Sequence, residues 1–328
     1  MKEFLNKKIL ITGATGSFGN KFIQTLLSSK TNFKNLVVYS RDEFKQYNMK
    51  NKFKSNKIKY VIGDVRDLER LKTASKDIDI LIHAAALKHV PIAELNPIEY
   101  IKTNIIGADN VIKSSISNNI KKVIALSTDK AAKPINLYGA TKLSSDKLFV
   151  AANYEYPTKT KFSVVRYGNV LNSRGSVIPL FLKINSTNAK KIPITDVNMT
   201  RFWISLEEAV KFVFSCLEIM DGGEIFVPKI KSVRTIDLAK IICKNKKIEL
   251  VGIRPGEKIH EVMCPVENSN QTFEYKEKFI IFPDYEKKFR LKNKGKKVKS
   301  DFEYSSDNKN FVMSLNEITN KLKVEKII

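Results

Sequence analysis

The sequence predicts an α/β protein built on a doubly wound parallel sheet, with a smaller C-terminal region. Short apolar strands alternate with amphipathic segments through the first half of the chain. The first strand runs directly into a glycine-rich turn at residues 13–19, and a helical pattern follows that turn. After Tyr167 the alternation stops and polar loops take over. These observations indicate a Rossmann-type fold with a ligand site at the carboxyl ends of the strands.

The strands and helices follow from the spacing of apolar residues. Strands are predicted at residues 7–12, 35–39, 57–62, 79–83, 123–126 and 161–167. Helices are predicted at residues 22–27, 97–117, from Tyr138 to about Ala152, and 207–220, the last packing back on the first domain. From Asn268 onward the chain is rich in lysine, and we predict irregular structure there.

Composition excludes several classes of protein. The net charge of +24 comes mostly from lysines spread along all 328 residues, without the aromatic–basic interleaving that binds single strands, so no nucleic-acid partner is predicted. Three scattered cysteines and three histidines favour neither a disulfide framework nor a metal site. No apolar run approaches the ~18 residues of a membrane span, and the N-terminus does not resemble a signal peptide. We therefore expect a cytoplasmic protein that is not attached to a membrane.

The glycine-rich turn predicts a nicotinamide dinucleotide site. Gly13, Gly16 and Gly19 let backbone N–H groups approach a diphosphate at a helix N-terminus. At the end of the second strand Arg41 precedes Asp42, and an arginine there suits the 2′-phosphate of NADP, whereas an acid suits the ribose of NAD. We favour NADP. Asp42 could instead cap the next helix, and Asp64, after the third strand, could meet the adenine or act as a cap.

The candidate catalytic residues lie in and after the fifth strand. Tyr138 and Lys142 are four residues apart, so they share one face of a helix. An ammonium beside a phenol lowers the phenol pKa from about 10, which would let Tyr138 accept a proton. Thr128, Asp129 and Lys130 follow the strand and add a hydroxyl, an acid and an amine at the same sheet edge. Taken alone, the Tyr–Lys spacing is equally compatible with an ordinary helix.

Arginines in the later loops are suited to a diphosphate. Arg201 and Arg254 lie in polar stretches between ordinary segments, and a guanidinium binds phosphate through paired N–H groups. Surface ion pairs are the alternative role for each arginine.

Longer motifs resemble a known family. The segments that carry the resemblance are Y-S-R-D-E-F-K-Q, H-A-A-A-L-K-H-V-P, S-T-D-K-A, V-V-R-Y-G-N-V-L-N-S-R-G-S-V, I-T-D-V-N-M-T-R-F-W-I-S, G-G-E-I-F-V-P-K-I, G-I-R-P-G-E-K-I-H-E-V-M and F-E-Y-S-S-D-N. With the glycine-rich turn and the Tyr138/Lys142 pair, they resemble the extended short-chain dehydrogenase/reductase group. Within that group the chain is similar to the inverting UDP-N-acetylglucosamine 4,6-dehydratases of pseudaminic acid biosynthesis, over nearly its full length.

The resemblance implies an internal redox elimination with a tightly bound NADP that is recycled. Tyr138 would take the O4 proton while hydride leaves C4; Lys130 would then take the C5 proton, and Asp129 would protonate the departing C6 hydroxyl. Hydride would return to C6, and protonation of C5 from the opposite face would invert that centre.

An elimination needs an acid and a base beyond what a 4-epimerase needs, and Asp129 with Lys130 supplies both. A free lysine pKa of about 10.4 is too high for a base, so we expect burial, Lys142 and the nicotinamide cation to lower the pKa of Lys130.

The resemblance also implies two sets of binding residues and a homo-oligomer. The predicted cofactor set is Gly13, Thr15, Gly16, Ser17, Phe18, Gly19, Ser40, Arg41, Asp42, Lys45, Asp64, Val65, Ala84, Ala85, Ala86, Lys88, Asn104, Tyr138, Lys142 and Val170. The predicted UDP-sugar set is Lys88, Asn169, Val177, Thr195, Arg201, Arg254 and Glu257. Residues 1–167 with about 205–230 are predicted to form the NADP-binding domain, and residues 168–204 and 231–328 the substrate-binding region and C-terminal extension.

Three alternatives remain open at this level. Dehydratases that retain C5 look similar but carry Asp-Glu where this chain has Asp129-Lys130. A UDP-hexose 4-epimerase or reductase would share the fold and the Tyr/Lys pair. A non-catalytic protein that binds NADP or nucleic acid is the remote alternative. A related branch with Met at the catalytic Tyr position, and membrane-anchored relatives, fit this chain less well.

Overall fold

The computed structural model describes residues 2–29, 31–173, 175–283 and 295–328. The strands are β1 (Lys8–Thr12), β2 (Asn35–Ser40), β3 (Ile58–Ile62), β4 (Ile80–His83), β5 (Lys122–Thr128), β6 (Lys161–Tyr167), β7 (Asn169–Val170), β8 (Lys191–Ile194), β9 (Thr200–Ile204), β10 (Ile225–Pro228), β11 (Ser232–Arg234), β12 (Lys247–Leu250), β13 (Val262–Cys264), β14 (Thr272–Glu274), β15 (Lys278–Ile281), β16 (Lys296–Lys297) and β17 (Tyr304–Ser305).

The α-helices are α1 (Ser17–Ser28), α2 (Glu43–Lys52), α3 (Leu68–Ala74), α4 (Val90–Leu95), α5 (Pro97–Tyr100), α6 (Gly107–Ser117), α7 (Leu137–Glu155), α8 (Val177–Asn185), α9 (Leu206–Ile219), α10 (Thr235–Ile242) and α11 (Leu315–Val324). A π-helical segment, Ile101–Ile106, joins α5 to α6, and short 3₁₀ turns occur at Lys2–Phe4, Asp129–Ala131 and Val266–Gln271. Among the described helices, none combines the length and apolarity that crossing a bilayer requires.

The main sheet has ten strands, and its parallel part runs in the order β3-β2-β1-β4-β5-β6-β10. The predicted doubly wound α/β class is confirmed, and β1 to β6 correspond to the six predicted strands. Thr12 at the end of β1 is in register with Tyr39 of β2 and His83 of β4. The loops that follow these strands therefore leave the sheet at one shared edge, where open α/β sheets bind ligands.

The sheet is buried on both faces, which explains why its strands are almost continuously apolar. Ile9 and Ile11 of β1 face a core completed by α1 and α9, in which the rings of Phe22 and Phe214 lie 5.1 Å apart. On the other face Leu10 packs in a core with Phe149 of α7 and residues of α6. Helix α9 thus packs on the first domain, as the pattern at residues 207–220 predicted.

The predicted helix at residues 97–117 forms as three consecutive helical segments with the π segment in the middle. Asn104 lies in that segment, and its side chain bonds both the N–H and the carbonyl of Leu87, each at 2.9 Å. Its amide also donates to the Thr141 hydroxyl, at 3.0 Å. Asn104 therefore ties the loop after β4 to α7.

The prediction of irregular structure from Asn268 is wrong where β14 to β17 and the helix α11 form. β15 joins β10 in antiparallel fashion, and β14 and β16 continue the main sheet beyond it. Residues 284–294 of this stretch lie outside the described residues. The error has a physical cause: these strands are only two to four residues long, so they carry too little periodicity to be recognised.

A second core lies beyond the main sheet. Trp203, Phe181, Leu238 and Leu322 pack together from β9, α8, α10 and α11. Two small sheets flank this core, one in the order β11-β9-β7 and one pairing β12 with β8. The loops that carry the predicted substrate residues emerge from these elements. The predicted domain boundaries remain a prediction.

Candidate active site

A cleft of about 1130 Å³ opens at the carboxyl edge of the parallel strands. Most of the predicted site residues line it: Gly13, Thr15, Gly16, Ser17, Phe18, Ser40, Arg41, Asp42, Lys45, Asp64, Val65, Ala84, Ala85, Ala86, Lys88, Thr128, Lys130, Tyr138, Lys142, Asn169, Val170, Val177, Thr195, Arg201, Arg254 and Glu257. Three predicted residues are not part of the lining. Gly19 is buried in α1, Asn104 supports the loop after β4, and Asp129 is buried behind Lys130.

The glycine-rich turn is shaped to hold an anion. Gly13 has φ +63°, and a Cβ there would come within 2.7 Å of the Ala85 backbone, so only glycine fits. Gly16 is the N-cap of α1, and no described side chain caps that helix. The first N–H groups of α1 therefore point into the cleft without a side-chain acceptor, which suits the diphosphate of a dinucleotide.

At the ribose end of the cleft both acids already have partners. The Asp64 carboxylate accepts from the Arg66 guanidinium at 2.7 and 2.9 Å, and it lies 3.4 Å from Arg41. Asp42 is the N-cap of α2, where its carboxylate accepts from the Lys45 N–H at 2.9 Å and lies 2.6 Å from the Lys45 ammonium. Of the roles left open for Asp42, the helix cap is present, whereas Asp64 does not cap a helix.

The turn after β5 brings three polar groups together. The Thr128 hydroxyl donates to Oδ1 of Asp129 at 2.9 Å, and Nζ of Lys130 donates to the same oxygen at 3.1 Å. Nζ also donates to Oδ1 of Asn169, at 3.3 Å. Asp129 is fully buried, and its Oδ2 has no hydrogen-bond partner among the described residues.

Tyr138 and Lys142 lie on α7 beside this turn, both nearly buried. Burial raises the pKa of Tyr138 to about 12, although the Lys130 ammonium and the Thr128 hydroxyl lower it. Burial also lowers the pKa of Lys142, while Asp146 raises it. The expectation that Lys142 brings the phenol pKa below its usual value is wrong for this structure, because desolvation dominates and the cation that acts on the phenol is Lys130.

The protein's own groups have a net effect on the pKa of Lys130 that is opposite to the expected lowering. Burial lowers the pKa of Lys130, but the carboxylates of Asp129 and Glu261 raise it by more, so the net pKa is above its ordinary value. Oε1 of Glu261 lies 3.2 Å from Nζ of Lys130. Sequence reasoning missed Glu261, although it belongs to the G-I-R-P-G-E-K-I-H-E-V-M segment. No local signal separates it from an ordinary loop glutamate, since only folding brings it to Lys130.

The opposite wall carries the predicted UDP-sugar residues. The Arg201 guanidinium donates to the carbonyls of Thr200, Ile259 and Lys258 at 2.7, 3.0 and 2.8 Å. Arg254 is different, because its half-exposed side chain has only a loose contact with Glu257, at 3.8 Å. Arg254 is thus the freer of the two guanidinium groups to meet an anion, and Arg201 also braces the loop at residues 258–259.

Lysines make this part of the cleft electropositive. Lys88 lines the cleft, and burial together with the Lys130 charge lowers its pKa. Lys258, which sequence reasoning also missed, donates to the carbonyl of Ala132 at 2.7 Å. Burial lowers the pKa of Lys258, while Glu261 raises it. A cluster of cations around two carboxylates suits a substrate that carries phosphate groups.

The chain is similar to several known proteins over most of its length. A family model described as polysaccharide biosynthesis protein matches residues 9–283. A UDP-N-acetylglucosamine 4,6-dehydratase (inverting) from Campylobacter jejuni is 54% identical over 314 residues, covering 93% of this chain and 94% of that protein. A UDP-glucose 4-epimerase from Rickettsia bellii is 44% identical over 271 residues, covering 80% of this chain and 79% of that protein.

A solved structure agrees with the fold along the whole chain. The X-ray structure of Pen from Bacillus thuringiensis has a TM-score of 0.91 and 37% identity, with 99% of each chain covered. Together with the cleft, the glycine-rich turn and the Tyr138/Lys142 helix, these matches establish that the chain belongs to the polysaccharide biosynthesis protein family of the extended short-chain dehydrogenase/reductases.

Proposed function

We propose that this protein is an NADP-dependent UDP-N-acetylglucosamine 4,6-dehydratase that inverts C5. Its product would be UDP-2-acetamido-2,6-dideoxy-β-L-arabino-hexos-4-ulose. The observation that carries the proposal is the 3.1 Å contact between buried Asp129 and Lys130, next to a cleft that Lys130 and Tyr138 both line. An epimerase needs no such acid–amine pair, whereas an elimination does. The Campylobacter jejuni relative with this activity in its name supports the same conclusion.

The cofactor would lie along the glycine-rich turn. Its diphosphate would accept from the N–H groups at the start of α1, and the small side chains of Ala84 and Ala85 also line this part of the cleft. A bound nicotinamide cofactor supplies an acceptor for hydride from C4 of the sugar and a donor of hydride to C6.

NADP is favoured over NAD by the charges at the ribose end. Asp64 is engaged by Arg66, and Asp42 is engaged by Lys45 and the start of α2. Both acids are therefore already paired with positive charge, which a 2′-phosphate would also require. Arg41 makes only the long contact of 3.4 Å with Asp64, so its half-exposed guanidinium is available to a 2′-phosphate.

The protein's own residues would handle the protons of the reaction. Tyr138 accepts the O4 proton, helped by the positive charge of Lys130, which favours the phenolate. Asp129 and Lys130 then share the acid and base roles of the elimination, in which one takes the C5 proton and the other protonates the departing C6 hydroxyl, which leaves as water. Inversion needs one group to remove the C5 proton and another to return it on the opposite face.

The UDP-sugar would lie against the opposite wall. Arg254 and Lys88 present positive charge to the diphosphate, and Asn169 and Val177 border the space next to Lys130. Thr195, Arg201 and Glu257 would complete the pocket. The net charge of +24 would assist capture of a substrate with two phosphate groups.

The test is incubation with UDP-N-acetylglucosamine in D₂O, followed by NMR. We expect a C6 methyl group, deuterium at C5 and an inverted C5 centre. Tyr138→Phe is the matched control, since it removes only the phenol oxygen and should lower turnover by about 10²–10⁴-fold. A product that keeps its C6 hydroxyl and differs only at C4 would instead establish the second candidate, a UDP-hexose 4-epimerase. That candidate is supported by the 44%-identical relative of that name.

The cellular setting is part of the same proposal. The product would enter pseudaminic acid biosynthesis, which feeds surface glycans such as those on flagellin. The enzyme would act in the cytoplasm as a homo-oligomer, with residues 1–167 and about 205–230 binding NADP and residues 168–204 and 231–328 binding substrate. Buried, unpaired Cys216, Cys243 and Cys264 are compatible with a reducing compartment.

A further inference from the structure

We propose that Glu261 is a positioning residue of this active site, which fixes the Lys130 amine and sets the pH at which Lys130 loses its proton. The inference deepens the proposed function and rests on it for its activity readout. It is carried by the arrangement of oxygen atoms around Nζ of Lys130.

Three oxygen acceptors surround Nζ of Lys130. Oδ1 of Asp129 lies at 3.1 Å, Oε1 of Glu261 at 3.2 Å and Oδ1 of Asn169 at 3.3 Å. An ammonium has three N–H donors; two go to Asp129 and Asn169, and Glu261 forms an ion pair with the same charge. A neutral amine has only two N–H groups, and its lone pair would face one of the three oxygens. The geometry therefore favours the ammonium form and one fixed position of Nζ.

Glu261 is held rigidly enough to act as a support. Its N–H donates to the Ser306 hydroxyl at 2.8 Å, and its carbonyl accepts from the Ser306 N–H at 2.8 Å. Its side chain is only 3% exposed. Strand β13, which begins at the next residue, is paired with β17. The carboxylate is thus anchored through its backbone at the floor of the cleft.

The contact of Glu261 with Lys130 is the shortest of its charged contacts. Nε of Arg201 lies 3.8 Å from Oε1, and Nζ of Lys258 lies 3.9 Å from Oε2. Oε2 has no hydrogen-bond partner among the described residues. The carboxylate of Glu261 therefore interacts mainly with Lys130. Its other charged contacts among the described residues are longer.

The groups that face Lys130 make the charge of Glu261 decisive. Asp129 and Glu261 are the negative groups, Arg201, Lys258 and Lys88 are positive, and Tyr138 contributes a phenol. Removing the Glu261 charge would leave one carboxylate against three cations. The pKa of Lys130 should then fall, because a nearby negative charge stabilises the ammonium and nearby positive charges oppose it.

The decisive variant is Glu261→Gln, which keeps the size of the side chain and removes its charge. We would measure the rate at which acetic anhydride modifies Lys130 near neutral pH, by mass spectrometry of the peptide that carries it, relative to exposed Lys147. Only the neutral amine reacts. The relative rate should rise about tenfold or more, since losing an adjacent opposite charge moves a pKa by about 1–3 units. Glu261→Asp, which keeps the charge, should recover most of the slow rate of the native protein.

Glu224→Gln is the matched control. Glu224 is fully buried and bonds Ser163, so its loss perturbs folding without touching the cleft. An unchanged relative rate at Lys130 in folded Glu261→Gln would overturn the proposal. If Glu261→Gln does not fold, Asn169→Asp tests the same proposal by adding a negative charge and not removing one. It puts a third carboxylate near Nζ and should slow modification, and an unaltered rate there would also overturn the proposal.

Activity provides the second readout. The limb of the pH–rate profile that reports Lys130 is the one that disappears in Lys130→Ala. In Glu261→Gln this limb should move to lower pH, in agreement with the faster labelling of Lys130. A native protein that does not convert UDP-N-acetylglucosamine would refute the proposed function. The labelling experiment would still decide the role of Glu261, because it needs no substrate.

Discussion

Gly139 on α7 lies directly against the backbone of Lys130. A Cβ at position 139 would come 2.3 Å from the Lys130 carbonyl oxygen and 3.1 Å from the ring of Pro134. The absence of a side chain at Gly139 is therefore what allows the helix that carries Tyr138 to approach the Asp129–Ala131 turn. The relative position of the phenol and the amine depends on this contact.

We expect Gly139→Ala to damage activity more than stability. The added methyl group must push α7 or the turn away, and overpacking of this kind costs about 1–3 kcal/mol of unfolding free energy. A shift of about 1 Å at a catalytic pair can cost about 10²-fold in turnover. Urea unfolding and kcat for UDP-N-acetylglucosamine measure the two effects.

The control for this substitution is Lys147→Ala, on an exposed position of the same helix. It should leave both unfolding and turnover close to those of the native protein. A fully active Gly139→Ala would show that the helix and the turn do not need to touch.

Lys142 should reduce stability at neutral pH. Burial lowers its pKa, so the folded state disfavours the ammonium relative to the unfolded chain. The cost is complete below the folded-state pKa, and it disappears as the pH rises through the ordinary lysine pKa. Lys142→Met should therefore raise the unfolding free energy at neutral pH by about 1 kcal/mol or more, and the gain should shrink in alkaline solution.

Urea unfolding of the two proteins at neutral and alkaline pH, without added cofactor, measures this difference. The same variant should lose at least roughly 10²-fold in turnover if Lys142 assists Tyr138. A variant that is less stable than the native protein at neutral pH would contradict the account of burial.

Arg41 should determine the choice of cofactor. Arg41→Ala removes the guanidinium that is free to meet a 2′-phosphate, while Asp64 keeps Arg66 as its partner. Losing a hydrogen bond to a charged group costs about 1.5–3 kcal/mol, so NADP affinity should fall about 10- to 100-fold. NAD affinity should change little.

Calorimetric titration of cofactor-free protein with NADP and with NAD measures the ratio. Lys50→Ala, on the exposed end of α2, removes a positive charge of the same element and serves as the control. Equal losses for the two cofactors would place Arg41 outside the 2′-phosphate site.

The sequence was sufficient for features that depend on local patterns. Strands β1, β2 and β4 to β6 are mostly buried, so each appears as an apolar run, and Gly13 follows the first of them at the sheet edge. Most predicted site residues line one cleft because the carboxyl ends of parallel strands share an edge. These conclusions need only the periodicity and order of the elements.

Protonation states could not be predicted in the same way. Oε1 of Glu261 lies 3.2 Å from Nζ of Lys130 and raises its pKa, although the two residues are far apart in the sequence. The Tyr138 phenol is controlled by how deeply α7 is buried, which the four-residue spacing to Lys142 does not reveal. Both quantities depend on tertiary contacts, which the pattern of the sequence does not reveal.

Asn136 links α7 to the loop that carries Arg254. Its Oδ1 accepts from the Gly139 N–H at 2.8 Å as the N-cap of α7, and its Nδ2 donates to the Gly256 carbonyl at 2.7 Å. The two atoms of one side chain therefore serve two purposes, which two substitutions can separate. Asn136→Asp keeps the cap acceptor and loses the donor, whereas Asn136→Ala loses both.

We expect Asn136→Asp to keep the N-cap of α7, because Asp and Asn are similar N-caps, and to lose about 1 kcal/mol of unfolding free energy with the hydrogen bond to Gly256. Its KM for the UDP-sugar should rise about fivefold. The loop that carries Arg254 loses its hydrogen bond to Asn136 through the Gly256 carbonyl, which is worth ~1 kcal/mol. Asn136→Ala should show the same rise in KM and an additional loss of about 1 kcal/mol in stability. Unchanged KM in both variants would mean that the loop with Arg254 does not hold the substrate, and would reassign the diphosphate to Lys88 and Arg201.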